Sequence, residues 1–192
     1  TDFAGNQQLQ NISTITIDNT KVNVSIVVPV NLTNTSSTAL LINASVNDSL
    51  TGVFNATFRL TTSSGSTLTA WLYATNNTIR TLTQNYWNTT FDTSTVADGR
   101  YNITINATDY ANNQQIINIS TINIDATKPS VEGITPANMT NISGNVLINA
   151  SVNDTTSGVL NATFMLVNIT NGSVTGWLYA TGNSSFDKTT WN

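Results

Sequence analysis

The chain has 192 residues, 39% of them hydrophobic but only 8% charged, against about a quarter charged in ordinary soluble proteins. A net charge of −4 and an isoelectric point near 4.3 exclude nucleic acid and anionic membrane surfaces as partners. With no Cys and no His, disulfides, thiol nucleophiles, zinc sites and the usual general base are excluded as well.

Taken in order, the chain reads as strands throughout, and it reads the same text more than once. TDFAGNQQ from Thr1 returns as TDYANNQQ from Thr108. A first strand is expected near 22–28. Next comes INASVND, where Leu40, Ile42, Ala44 and Val46 alternate with polar neighbours, the period of two that marks a strand with one buried face over about 39–47. Asp48–Gly52 reads as a turn. Ala56, Phe58 and Leu60 set a strand at 53–61, Ser63–Ser66 a turn, and WLYAT a strand at 68–75. Strands at 86–92, at 100–107 (Tyr101, Ile103, Ile105, Ala107) and at 114–124 follow. Turns at Ala97–Gly99 and Asp109–Asn113 separate these last three. INASVND, NATF and WLYAT then recur 106 residues later at Ile148, Asn161 and Trp177. A period of that length is one small domain.

Seven short strands in about 100 residues predict an all-β fold, tandem immunoglobulin-like β-sandwiches. The expected segments are 1–19, the end of a preceding repeat; 20–126, one complete domain; and 127–192, the first five strands of the next. The sixth strand of that last copy is expected beyond residue 192, by continuation of the chain rather than by strand donation from a neighbour. Its core face of Leu147, Val152, Phe164, Leu166 and Trp177 is then expected to lie partly open.

Asn-x-Ser/Thr sequons occur at Asn11, Asn23, Asn31, Asn34, Asn43, Asn47, Asn55, Asn76, Asn88, Asn102, Asn106 and Asn118. They continue at Asn138, Asn141, Asn149, Asn153, Asn161, Asn168, Asn171 and Asn183. Asn- and Thr-rich sequences make sequons by accident, but here the strand alternation puts many of them on the polar face. N-linked glycans there are expected to point to solvent and to stand in for the missing surface charge.

The recurring acids sit at corresponding loop positions: Asp18 and Asp125 in the linkers, Asp48 and Asp154 in the second-to-third strand loops, Asp2 and Asp109 after the sixth strand. In a sandwich of this kind these three places meet at one end. Carboxylates gathered there repel unless a hard cation joins them, and Ca²⁺ takes about six to eight oxygens. The candidate ligands are Asp18, Asp48 and Asp109, and in the next copy Asp125 and Asp154, with Asn47, Asn113 and loop carbonyls completing the shell. The alternative is that each Asp caps its own turn. Lys21 and Lys128 read as solvent-facing linker residues rather than isopeptide donors. Trp71, Trp87, Trp177 and Trp191 fall in expected strands and read as core. No catalytic set is evident.

IDATKP at Ile124–Pro129, NDTTSGV at Asn153–Val159 and YNITINATDYANN at Tyr101–Asn113 resemble, in order and spacing, the Ig-like repeats of bacterial and archaeal surface proteins. Asn112 replaces the glycine that Gly5 keeps in the first copy, and Asn tolerates the left-handed conformation. The resemblance implies an extracellular, cell-surface role of S-layer, adhesin or filament type. Partners would be copies of itself or further repeats of the same chain, with no membrane insertion in this segment. Dense glycosylation without disulfides fits an archaeal surface. The leading expectation is a non-enzymatic structural subunit. An adhesin stalk, or a carbohydrate-binding accessory module of a secreted hydrolase, is the alternative.

Overall fold

The computed structural model describes residues 2–11, 13–76, 85–168, 170, 172–185 and 188–191. The strands from residue 23 to residue 124 are β1 (Asn23–Val28), β2 (Thr33–Thr35), β3 (Ala39–Asn47), β4 (Val53–Thr62), β5 (Leu72–Tyr73), β6 (Thr75–Asn76), β7 (Asn85–Asp92), β8 (Gly99–Asp109) and β9 (Gln114–Ile124). They form a four-stranded sheet ordered β1-β3-β7-β6 and a five-stranded sheet ordered β2-β9-β8-β4-β5. Together the sheets make a sandwich-like, Ig-like fold.

The expected alternation sets the core. Leu40, Ile42, Ala44 and Val46 of β3, Ala56, Phe58 and Leu60 of β4, and Tyr101, Ile103, Ile105 and Ala107 of β8 are all buried. At the start of β8 the Tyr101 hydroxyl donates to the Ala97 carbonyl at 2.7 Å, the tyrosine corner of Ig-like sandwiches.

Two strands depart from the sequence reading. The expected strand at 68–75 is only the two short pieces β5 and β6. The short β2 was not expected: Thr33–Asn34–Thr35 has no apolar residue to mark it. It pairs in parallel with Ile122–Ile124 of β9, and the Asp125 amide continues the ladder by donating to the Thr35 carbonyl at 2.9 Å.

By compactness the chain divides into two units. One comprises Thr1–Val30, Leu41–Thr90 and Asn102–Ser120; the other comprises Asn31–Leu40, Phe91–Tyr101 and Thr121–Asn192. Within the second unit the later strands are β10 (Ser130–Thr135), β11 (Asn149–Asn153), β12 (Thr163–Phe164), β13 (Val167–Asn168), β14 (Gly172–Ser173), β15 (Leu178–Tyr179), β16 (Gly182–Ser185) and β17 (Lys188–Trp191). A sheet ordered β10-β11-β17-β16 repeats the order of the first four-stranded sheet. The repetition extends to single hydrogen bonds. Ala74 N–H donates to Ala56 C=O as Ala180 N–H does to Ala162 C=O, both at 3.1 Å. Val152 is buried, Phe164 is half-buried, and Leu147, Leu166 and Trp177 are exposed.

Candidate functional site

Three carboxylates converge from three segments of the first unit. Asp18 lies just before β1, and its Oδ1 accepts the Thr20 N–H at 2.9 Å. Asp48 follows β3, and its Oδ1 accepts the N–H groups of Leu50, Thr51 and Gly52 at 3.0, 2.8 and 2.8 Å. The chain can wrap around one oxygen in this way because Gly52 takes a left-handed φ of 81°. Asp109 ends β8; its two oxygens accept the backbone and side-chain N–H groups of Asn113, both at 2.8 Å. That turn passes through Asn112 at φ 69°, the left-handed conformation expected of it. The three acids are buried, and one oxygen of each lies within 4.8 Å of the others.

Two further side chains tie the cluster together. The Thr51 hydroxyl donates to Asp18 Oδ2 at 2.7 Å, and Asn113 Nδ2 donates to the Asp18 carbonyl at 3.0 Å. Asn113 was an expected member and contributes as a donor. Asn47, also expected, is engaged elsewhere: its Oδ1 accepts the Asn85 N–H and its Nδ2 donates to Ser45. The reason is strand parity. Asn47 is the last residue of β3 and sits in that ladder, whereas Asp48 is free to turn.

In the second copy, Asp125 Oδ1 accepts the Thr127 N–H at 3.1 Å. Asp154 Oδ1 accepts those of Thr156, Ser157 and Gly158 at 3.1, 2.8 and 2.9 Å, with Gly158 at φ 77°. Both acids are buried. Among the described residues only Asp18, Asp48 and Asp109 form a cluster of metal-ligand geometry.

A hard cation fits what is present. Buried carboxylates this close repel one another, and no lysine or arginine among the described residues is paired with them. Asp48 Oδ1 is already taken by three amides, so its other oxygen with both oxygens of Asp18 and Asp109 would supply five, and a loop carbonyl would bring the shell to the lower end of the roughly six to eight oxygens that Ca²⁺ takes. The same hydrogen bonds also satisfy the plainer role of each Asp as the cap of its own turn.

For Asp48 and Asp154, burial is the largest single influence on the carboxyl and opposes its ionisation. The converging backbone and hydroxyl donors together outweigh it, so each lies below the ordinary value of 3.8. A carboxyl whose folded pKa is depressed adds stability above its unfolded pKa and loses it as pH falls through the folded one. Thermal melts should therefore be flat from neutral pH down to about 5 and decline below about 4. Asp48→Asn should flatten that decline; an unchanged acid limb would mean that Asp48 carries none of it.

Asp98 had no signal in the sequence, being a lone acid in a loop. Its Oδ1 accepts the Ala126 N–H at 2.9 Å, and its Oδ2 accepts the Thr127 hydroxyl. The Thr127 hydroxyl is the main reason its carboxyl sits below the ordinary range, followed by the Ala126 amide. The loop before β8 thus holds the linker that leads into β10. Lys21 and Lys128 are exposed, as expected of linker lysines.

The tryptophans divide. Trp87 is buried in the core. Trp71 is half-buried, with the Arg59 guanidinium carbon 4.3 Å from its ring centroid, and Trp177 is 64% exposed. The core reading therefore fails for Trp71 and Trp177: in the first copy Leu72 pairs with the buried Phe58 and Trp71 lies beside Arg59, and in the second the whole WLY segment, Leu178 included, is exposed. The side chain of Trp191 lies outside the described residues.

Of the sequon asparagines, Asn11, Asn23, Asn31, Asn34, Asn118, Asn138, Asn141, Asn161 and Asn168 are exposed. Asn43, Asn47, Asn55, Asn76, Asn88, Asn102, Asn106, Asn149 and Asn153 are half-buried. Asn171 and the side chain of Asn183 lie outside the described residues. The polar-face positions of the interior strands β3 and β8 are less open than alternation alone implies, since each strand is flanked on both sides.

Residues 85–181 match the family model of the bacterial Ig-like domain, group 3. The chain belongs to that family. No curated protein matches it. Bacterial Ig-like domains are generally non-catalytic and commonly extracellular or surface-exposed. The matched window runs from β7 past β15, across residue 126, where the sequence reading puts a domain boundary. No helix among the described residues is long and apolar enough to cross a membrane.

Proposed function

We propose that this Ig-like chain is a non-enzymatic structural subunit of an extracellular filament or surface layer, heavily N-glycosylated and of archaeal type. Its segments would be 1–19, 20–126 and 127–192, repeats of one domain. The observation that carries this reading is the duplication of loop architecture. Asp48 and Asp154 gather the same three amides 106 residues apart, and Asp18 and Asp125 make the same turn. A chain that copies its junction loops as faithfully as its strands is suited to stacking units in a fixed relation. Electron microscopy of material shed from cells should show rods or sheets; dispersed particles would count against an assembly role.

Glycans on the sequons would supply the hydration that so few charges cannot. Native material should exceed the 20.6 kDa of the bare chain by far. Occupancy should be highest at exposed positions such as Asn118 and Asn161 and lower at Asn43 and Asn106, each of which has its Oδ1 buried. An intact mass equal to that of the polypeptide would end the glycoprotein reading.

Ca²⁺ at Asp18, Asp48 and Asp109 would convert a flexible linker into a stiff one, with Asp125 and Asp154 serving the next junction. A ligand present at ten times its Kd stabilises by about 1.4 kcal/mol, so chelation should lower the melting midpoint by roughly 6–11 °C. A midpoint indifferent to chelator and to added Ca²⁺ would leave three turn-capping aspartates.

A further inference from the structure

The outer face of the β4–β5 pair carries an arrangement that neither core packing nor the junction uses. Thr57 lies opposite Tyr73 and Phe58 opposite Leu72. Phe58 is buried and Leu72 half-buried, so Thr57, Arg59 and Tyr73 share the opposite face. Tyr73 is 80% exposed. Arg59 lies with its guanidinium over the Trp71 ring at 4.3 Å, and its buried Nε finds no acceptor in the chain. Among the described residues no carboxylate pairs with it.

The charge on Arg59 is notable because this chain has only 6 Lys and Arg in all. A surface that keeps itself soluble almost without cations has placed one on a sheet face, fixed it against an indole, and left it without an anion. Cation–π contact fixes the plane of the guanidinium but does not neutralise it. A guanidinium held in this way presents a fork suited to a carboxylate or sulfate. Tyr73 lies one diagonal step away on the neighbouring strand, within reach of the same ligand. It offers an exposed ring on which the apolar face of a pyranose can stack, with a hydroxyl at its edge.

The second repeat provides an internal comparison. It keeps Trp177 and Tyr179, which are 64% and 80% exposed, but has Met165 in place of Arg59. The aromatic pair therefore recurs without the cation, and its indole is more open than Trp71.

We propose that Arg59 and Tyr73, with Trp71 as the residue that positions Arg59, form a binding site for an anionic pyranoside: a sugar ring stacked on Tyr73 with its acid group on the Arg59 fork. The inference does not depend on the filament reading or on the chain's own glycans, and unglycosylated recombinant chain tests it. The probes are a tetragalacturonate, a sulfated oligosaccharide of similar length, neutral maltotetraose and inorganic sulfate, followed by calorimetry and by tyrosine and tryptophan fluorescence. Binding of the carboxylated or the sulfated probe, with maltotetraose at least about tenfold weaker, is expected, and the stronger of the two identifies the acid group. Arg59→Met, which copies the second repeat, should weaken binding about 10- to 100-fold. Arg59→Lys should fall between the two, since it keeps the charge without the fork. Tyr73→Ala should lose ring-dependent affinity while leaving the weak response to inorganic sulfate unchanged. Circular dichroism of each variant checks the fold. Equal binding of neutral and acidic probes, no binding of either acidic probe, or Arg59→Met and Arg59→Lys both matching the parent chain would overturn the site.

Discussion

Replacing Phe58 with Ala should lower the unfolding free energy by about 3–5 kcal/mol, the usual cost of removing a buried ring from a packed core. For a domain near 100 residues this is a drop in melting midpoint of roughly 15–30 °C. Phe58 is fully buried in β4, which lies between β8 and β5, with Ala56 and Leu60 on the same face, also buried. Truncation therefore leaves a void in the middle of the strand rather than at an edge that can collapse. The half-buried equivalent Phe164 serves as the control. Phe164→Ala should cost clearly less, since part of its ring already contacts water. Equal losses at the two positions, followed by chemical denaturation, would mean that burial in β4 does not set the stability of the sandwich.

The legible part of this fold was the part written in alternation. β3 and β9 fall on their expected bounds, 39–47 and 114–124, because each has a run of apolar residues long enough to fix both period and parity. β2 was invisible since its three residues are polar and it is held by backbone pairing to β9. The stretch at 68–75 contains apolar residues but no settled period, and it closes as two short pieces. Parity also explains Trp71. WLY permits either the outer pair or the middle residue to face inward, and nothing local chooses between them. The pairing of Phe58 with Leu72 does, and it turns Trp71 and Tyr73 outward. The convergence of Asp18, Asp48 and Asp109 was legible because sandwich topology brings those three loops to one end. Thr51 and Asp98 were not, since a single side chain that caps a loop leaves no periodic trace.

Asp18→Asn should change the sign of its effect with calcium. The substitution keeps the local bonding: the amide oxygen can still accept the Thr20 N–H, and the amide nitrogen can donate to the Thr51 hydroxyl, which now accepts. What it removes is one negative charge from a buried group of three whose oxygens lie within 4.8 Å of one another. At an effective dielectric near 20, two charges at that separation repel by about 3.5 kcal/mol, an upper bound once solvent responds. In chelator the variant should therefore be as stable as the parent chain or more so, by up to about 2 kcal/mol. In excess Ca²⁺ the order should reverse, because the parent gains the linkage energy of a three-carboxylate site and the variant keeps only two of its carboxylates. Melts of both proteins in chelator and in millimolar Ca²⁺ are sufficient to test this. If the three aspartates serve only as turn caps, the difference between the proteins will have the same sign and size in both conditions. A crossing of the two stabilities is expected only if a cation neutralises the group.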